Sequence, residues 1–340
     1  MREFSRNLLA LGIGTLLGIL VMEFGLVLVW GGLLGNHRLL VSDAELGWRA
    51  LPNANYSQRR GDGQVWSYET GNRGYRQLPE GGTEASPLTL FLGDSFVFGE
   101  GVNADEHFLA QLAKTGRYRI CNGGVVGYST DQSVLQFETG EWTPSRLVLM
   151  SYLANDLADN PSHFHRDGLR FKPRFRLDDD GLHLETNPHP LLNWLRHESF
   201  LVRVLLGVVY TARPQLGLFD RPPADAERER ALYRALVARL VDAAAQREVD
   251  RVMVVYWSFR SHDPAGFANL RLPELPGTEV ELLNLDAAFR REGLDPETLY
   301  FPANVDPGHH WNAEGHRRVA QILDAALTSS GRPIGAAPGR

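Results

Sequence analysis

The sequence has only one cysteine, Cys121, among its 340 residues, and it contains no long run of basic side chains. A single cysteine excludes an intramolecular disulfide and a metal cluster held by several thiolates. With a formal net charge of −6 and no basic block, the composition gives no indication of a nucleic-acid partner. Because Cys121 falls in a strand-like run over residues 118–122, we predict a buried, unreactive thiol.

The remaining composition is that of a chain with one large core. Hydrophobic residues make up 43% of the sequence and charged residues 22%, which predicts one main globular unit with appendages. Patterning along the chain divides it into segments. We predict a membrane anchor (1–34), a juxtamembrane or cap segment (35–87), a main domain (88–330) with an insertion at about 161–222, and a tail (331–340).

The amino-terminal segment is long and apolar. Residues 8–34 exceed the ~20 residues that a helix needs to cross a bilayer. A cleaved signal peptide has an apolar region of only ~7–15 residues, so we predict an uncleaved anchor that contacts the lipid bilayer. Arg2 and Arg6 precede it, which predicts an internal amino terminus and an extracytoplasmic main domain, periplasmic in a bacterial inner membrane. Glu23 lies within the span and must be protonated, snorkel, or pair with a partner helix.

Residues 35–87 show neither a long helical period nor a long apolar run. They are rich in glycine, asparagine, arginine and proline, with interspersed aromatic residues such as Trp48, Tyr56 and Trp66. The segment could be a spacer or a small β-rich cap on the main domain. The aromatic residues favour the packed cap, and the composition is not that of a disordered segment.

Strand and helix patterns alternate through the main domain. Apolar runs predict strands at residues 88–92, 118–121, 147–153 and 252–257. Predicted helices cover residues 104–114 with a cap near Asn103, a stretch ending near Thr139, and residues 224–247 and 319–327. This alternation predicts an α/β fold with a parallel sheet. Within the insertion, residues 200–210 contain one charge, Arg203, and we expect a buried helix over one on a membrane surface.

One strand end carries a candidate nucleophile. Gly93, Asp94 and Ser95 directly follow the predicted strand 88–92, and ligands of open α/β sheets bind at the carboxyl edge. A serine hydroxyl needs an imidazole to take its proton and a carboxylate to orient that imidazole. The loop from Asp306 to His310 can supply both. An acyl-transfer intermediate also needs donors for its oxyanion. Candidates that follow strand ends are the backbone N–H groups of Ser95 and Gly127 and the amide of Asn155.

Each of these residues also has an ordinary structural interpretation. Asn155 could cap a helix, Gly127 could serve a turn, and His310 could be a cap or core histidine. Their ordered occurrence favours the chemical interpretation. His163, His165 and Asp167 suggest a metal site only weakly, because they lie in a predicted loop without a third well-spaced ligand, so we expect neither metal nor cofactor. His316 is expected to cap or pack on the last helix.

The segments that carry Ser95, Gly127, Asn155 and the loop 306–310 occur in this order along the chain. Together they resemble the sequence blocks of the SGNH, or GDSL-like, hydrolase family. The resemblance implies a flavodoxin-like three-layer α/β/α fold, Ser95 as nucleophile and oxyanion donor, and Gly127 and Asn155 as the other donors. It implies His310 as base with Asp306 as its orienting carboxylate. His309 would restore the usual three-residue spacing from Asp306, but only His310 matches the block His-x-Asn-x-x-Gly.

The resemblance implies a membrane-anchored serine esterase with an acyl-serine intermediate, acting on an acylated small molecule or glycan. One alternative is an O-acyltransferase that modifies an envelope polysaccharide, and a membrane partner protein is possible in either case. The other alternative is a catalytically silent glycan-binding scaffold.

Overall fold

A five-stranded parallel sheet forms the centre of the protein. The computed structural model describes residues 2–33, 39–79, 81–165, 169–219, 225–258, 280–306 and 308–329. Four short strands precede the sheet and four lie in the insertion, so the sheet strands are numbered β5, β6, β7, β12 and β13. They are β5 (Leu88–Leu92), β6 (Arg119–Asn122), β7 (Arg146–Tyr152), β12 (Arg251–Trp257) and β13 (Glu281–Asn284).

The strand order across the sheet is β6-β5-β7-β12-β13, and every pairing is parallel. Leu90 pairs with Cys121 on one side and with Leu147 on the other, which fixes the register of the three strands nearest the candidate serine. In chain order this is the arrangement 2-1-3-4-5 of flavodoxin-like folds, with its topological switch point between β5 and β7.

Helices cover both faces of the sheet. One face carries α3 (Phe108–Lys114), α9 (Leu285–Arg291) and α10 (Ala313–Ser329), and the other carries α4 (Thr130–Thr139), α5 (Leu153–Asp159) and α8 (Ala226–Gln246). Successive strand residues point to opposite faces. Phe91 therefore packs in the first layer, whereas Leu90 and Leu92 pack in the second. The predicted α/β fold with a parallel sheet is confirmed.

Several predicted element ends are shifted in the structure. Helix α3 begins at Phe108 and is capped by His107, whose Nδ1 accepts from the backbone N–H of Leu109 at 3.0 Å. The predicted cap Asn103 instead accepts from the backbone N–H of Ser67. Strand β7 spans Arg146–Tyr152, and Leu153 already belongs to α5. Strand β13 and helix α9 were not predicted from the sequence pattern.

The segment before the sheet forms two hairpins. These are β1 (Leu40–Asp43) with β2 (Gly47–Ala50), and β3 (Asn55–Arg59) with β4 (Val65–Glu69). Their aromatic residues are buried against Phe98, Val125 and Tyr128 of the main domain. The buried aromatic side chains of this segment are Trp48, Tyr56, Trp66 and Tyr68.

The insertion contains β8 (Phe164–His165), β9 (Arg170–Phe171), β10 (Arg174–Asp178), β11 (Gly181–Glu185), α6 (Pro190–Glu198) and α7 (Phe200–Ala212). A fully buried ion pair joins the Lys172 ammonium to Asp131 in α4. The insertion is thereby tied to the second helix layer. Residues 166–168, 220–224 and the tail 331–340 lie outside the described residues.

Two helices, α1 and α7, leave most of their apolar side chains partly or fully exposed. Helix α1 (Arg2–Leu33) contains a window, Leu11–Leu28, with a mean hydropathy of 2.2, none of which is buried, so it is long and apolar enough to cross a membrane. The prediction that residues 200–210 form a buried helix is wrong in its burial. They form α7, but Leu206 is its only buried residue. The other apolar side chains of α7 are partly or fully exposed.

Candidate active site

The turn after β5 fixes the position of Ser95. Gly93 has φ +153°, and a Cβ there would lie 2.6 Å from the carbonyl oxygen of Met150, so the close approach of β7 requires glycine. Asp94 then caps the short helix α2 (Ser95–Phe98) by accepting from the backbone N–H of Phe96 at 2.9 Å. Ser95 is thus the first helical residue beyond the carboxyl end of β5.

His310 links Ser95 to Asp306 through two short hydrogen bonds. Its Nε2 lies 2.7 Å from Ser95 Oγ, and its Nδ1 lies 2.7 Å from Asp306 Oδ2. Asp306 Oδ2 also accepts from the backbone N–H of His310 at 2.8 Å, and Oδ1 accepts from that of Gly308 at 3.0 Å. The carboxylate is therefore held in one orientation, which fixes the Nδ1–H tautomer of a neutral imidazole.

The local backbone explains how a four-residue spacing brings Asp306 and His310 together. His309 adopts φ +54°, in the left-handed region, and its backbone N–H donates to the carbonyl of Asp306 at 3.1 Å. This tight turn directs the next side chain back over the Asp306 carboxylate. The imidazole that meets Ser95 Oγ is consequently that of His310, and its ring packs 5.0 Å from the ring of Phe96.

The three candidate oxyanion donors follow the carboxyl ends of three neighbouring strands. Ser95 follows β5, Gly127 follows β6 and Asn155 follows β7 in the first turn of α5. The amide of Asn155 lies beside the buried Asp94 carboxyl. Gly127 has φ +78°, and within the described part of the chain its backbone N–H donates to no protein acceptor. All three lie at one edge of the sheet.

Carboxylates surround the imidazole of His310. Burial lowers its pKa, but Glu100, Asp306 and Asp94 outweigh that effect and raise the pKa to about 9. Burial raises the pKa of Asp306, but the hydrogen bonds and charge of His310 dominate and lower it to about 2. At Asp94, burial raises the pKa to about 6 despite the bond from Phe96 and the nearby imidazole.

Glu100 and Arg170 lie at the site but were not predicted from the sequence. Glu100 Oε2 lies 3.7 Å from His310 Nε2, because the left-handed Gly99 ends α2 and the backbone N–H of Glu100 returns to the carbonyl of Ser95. A Cβ on Gly127 would lie 3.3 Å from Arg170 Nη1, so this insertion residue borders the site. The glycine before Glu100 was a weak signal for the turn, and nothing in the sequence indicated Arg170.

The histidines of the insertion have protein partners. His163 Nδ1 is 2.9 Å from the carbonyl oxygen of Lys172, and His165 Nε2 is 3.7 Å from Asp159 Oδ2. Asp167 lies outside the described residues. Among the residues that are described, no group of three or more His, Cys, Asp or Glu side chains could hold a metal ion. His316 is buried and accepts from the backbone N–H of Phe108, so it packs between α10 and α3.

Comparison with solved structures found distant matches. A lipolytic protein of the G-D-S-L family from Desulfitobacterium hafniense is 11% identical, with a TM-score of 0.40 over 71% of this chain and 100% of that one. Axe2, an acetylxylan esterase from Geobacillus stearothermophilus, is 13% identical, with a TM-score of 0.39 over 74% and 98%. LAE5, an alpha/beta hydrolase from the Lake Arreo metagenome, is 14% identical, with a TM-score of 0.40 over 73% and 99%.

No protein-family model and no curated protein matches the sequence.

Proposed function

We propose that this protein is a serine esterase that works through a covalent acyl-Ser95 intermediate. The observation that carries the proposal is the continuous pair of 2.7 Å hydrogen bonds from Ser95 Oγ through His310 to Asp306. A hydroxyl, an imidazole and an oriented carboxylate in this sequence are the parts needed to activate a serine.

In the acylation half, Ser95 Oγ attacks the ester carbonyl carbon while His310 Nε2 takes the hydroxyl proton. Asp306 holds the ring in place and stabilises the imidazolium. As the tetrahedral intermediate collapses, the carbon–oxygen bond to the leaving group breaks and His310 gives its proton to the departing alcohol. The acyl group remains as an ester on Ser95.

In the deacylation half, His310 takes a proton from water, whose oxygen attacks the acyl carbon. Collapse of the second intermediate breaks the bond to Ser95 Oγ, returns the proton to Ser95 and releases the carboxylic acid. Both intermediates carry a negative oxygen. We assign the backbone N–H groups of Ser95 and Gly127 and the side-chain amide of Asn155 as its donors, each contributing about 10²–10³ in rate.

The proposal includes a location. Helix α1 would span a cytoplasmic membrane, with Arg2 and Arg6 on the inside and the catalytic domain on the extracytoplasmic side. Its esters would then belong to extracytoplasmic molecules, such as acylated glycans. The same acyl-enzyme could pass its acyl group to a sugar hydroxyl instead of water, which is the O-acyltransferase alternative.

The test uses the full-length protein in detergent with a short-chain aryl ester and a serine-directed fluorophosphonate probe. Ser95→Ala should lose both turnover and labelling while keeping the wild-type melting temperature. Ser57→Ala is the matched control, because Ser57 is an exposed serine on β3, and it should behave as wild type. Absence of labelling in the wild-type protein would contradict the proposal and favour the silent scaffold.

Hydrolysis and transfer are distinguished by their products. The acyl-enzyme formed from the aryl ester is offered a soluble oligosaccharide, and the products are separated by mass spectrometry. Free acid alone supports the esterase. An acylated oligosaccharide that is absent with Ser95→Ala would assign the transferase.

A further inference from the structure

Helix α7 presents an apolar face that the rest of the described protein does not cover. Val204, Leu205, Val208 and Val209 are 36%, 52%, 59% and 36% exposed. They are spaced one, three and four residues apart, so they lie on one side of the helix. Four large aliphatic side chains on 13 residues make this an unusually apolar surface for contact with water.

The opposite side of α7 is packed against the insertion. Leu206 is buried in a cluster with Phe164, Phe171 and Phe219. Phe171 belongs to β9, whose other residue, Arg170, borders Gly127. The exposed apolar face is therefore attached, through one short strand, to the wall of the candidate active site.

The start of α7 is bound to helix α1. The Glu23 carboxylate accepts from Ser199 Oγ at 2.8 Å and from the backbone N–H groups of Phe200 and Leu201 at 2.7 and 2.9 Å. These are helix N-terminal donors, which a carboxylate stabilises. Of the three interpretations of Glu23, the structure shows pairing with another helix. That helix is α7 of the same chain.

Glu23 places the start of α7 beside the apolar part of α1. It lies inside the window Leu11–Leu28, and the apolar sequence continues from Phe24 to Leu34. A membrane that α1 crosses would therefore also reach the start of α7, and the exposed apolar face of α7 would meet lipid instead of water.

The neighbouring residues suit the same environment. Helix α6 exposes Leu191 and Trp194, three residues apart, and tryptophan is enriched at membrane–water interfaces. Arg203 is the only charged residue of α7, and its guanidinium lies 4.8 Å from the centre of the Phe200 ring at the end that meets Glu23.

We propose that α6 and α7 dock into the outer leaflet of the bilayer that α1 crosses. The exposed face of α7 contacts lipid acyl chains beside α1, and the catalytic edge of the sheet is held at the membrane surface. The substrate class that fits this placement is an ester on a membrane-bound molecule. The inference rests on the proposed membrane anchor but not on the acyl-serine chemistry.

The experiment measures lipid contact at three positions of the full-length protein. Cys121 is replaced by alanine, and a single cysteine is introduced in separate variants as Leu17→Cys in α1, Val208→Cys in α7 or Leu282→Cys in β13. Leu282 is the matched control because it is 42% exposed and lies at the opposite sheet edge from β6. Each cysteine carries an environment-sensitive fluorophore, and the protein is reconstituted into phosphatidylcholine–phosphatidylglycerol vesicles with lipids spin-labelled near the headgroup or deep in the chain.

We expect at least one of the two spin labels to quench the fluorophore at position 208 at least twofold more than that at 282. We expect the deep label to quench position 17. Quenching at 17 without quenching at 208 would overturn the docking of α7 while leaving the anchor intact. A blue-shifted but unquenched fluorophore at 208 would assign that face to a protein partner and overturn the proposal. Absence of quenching at 17 would overturn both the anchor and the docking.

Leu205→Cys provides a second position on the same face in case the variant at 208 does not fold. A melting temperature within a few degrees of the parent identifies folded variants.

Discussion

At the scale of residues, the two adjacent histidines have different surroundings. His310 bridges Ser95 and Asp306, whereas His309 supplies the left-handed turn that positions it. The spacing from Asp306 favoured His309, whereas the block His-x-Asn-x-x-Gly favoured His310. The position of each ring depends on a backbone dihedral angle that neither pattern specifies.

We expect His310→Ala to lower kcat/KM on a short-chain aryl ester by roughly 10³-fold or more, since the serine would lose its base. His309→Ala should retain activity within a few fold, because its ring is not the one that meets Ser95. Both variants are compared with wild type for melting temperature and ester hydrolysis. An inactive, folded His309→Ala would transfer the role of base to His309.

The carboxylates around His310 predict an alkaline pH profile. Only the neutral imidazole accepts the Ser95 proton, and a pKa of about 9 keeps the ring protonated at neutral pH. We therefore expect kcat/KM to rise about tenfold per pH unit up to about pH 9 and then level off.

Glu100→Gln tests the cause of that profile. Glu100 raises the pKa of His310 from a distance of 3.7 Å, so its neutral replacement should move the rising limb to lower pH by roughly one unit. Activity at neutral pH should increase. Glu106→Gln is the control, since this carboxylate accepts from the backbone N–H of Asn103 away from the imidazole. An unchanged limb in Glu100→Gln would show that Glu100 does not set the pKa.

At the scale of elements, the buried strands and the buried helix faces were the parts best predicted from the sequence. Residues 89–92 of β5 and the face of α8 that carries Leu232, Leu236 and Leu240 are buried, and their patterns were unambiguous. Strand β13 is an edge strand with only four residues, of which Leu282 is exposed, so its pattern was too short to detect. Helix α7 was predicted as a helix, but apolar composition does not distinguish a protein core from a lipid-facing surface.

The ion pair between Lys172 and Asp131 joins residues 41 positions apart, and no local pattern indicated it. Lys172→Met should lower the free energy of unfolding by about 3–5 kcal/mol, because it leaves a buried carboxylate without its countercharge. The double variant with Asp131→Leu should recover much of this loss. Denaturant titration of the three proteins checks the order, and equal loss in single and double variants would contradict it.

At the scale of the whole molecule, the carboxylate of Glu23 joins α1 to the start of α7 by hydrogen bonds. Glu23→Leu removes the acceptor for three donors at the start of α7, a loss of about 1–2 kcal/mol for a helix cap. We expect faster proteolysis near residue 200 in reconstituted protein, with Thr15→Leu, also in α1, as the control. Equal cleavage rates in the two variants would show that Glu23 does not hold α7.

The arrangement of the sheet could be predicted from the sequence, but the attachment of the segments around it could not. Alternating strands and helices predicted parallel pairing, and the resemblance implied the flavodoxin-like order. The attachment of the two hairpins of residues 39–79 and of the insertion depends on contacts distant in sequence, such as that of Trp48 Nε1 with the carbonyl of Val126. The Arg170 guanidinium lies 5.4 Å from the centre of the same Trp48 ring.

The buried Lys172–Asp131 pair has a consequence for how ligands reach Ser95. Opening the insertion would carry the fully buried Lys172 ammonium away from Asp131 in α4, so we expect these two parts of the protein to move as one unit. The insertion should then act as a stationary wall beside Ser95 and not as a moving flap.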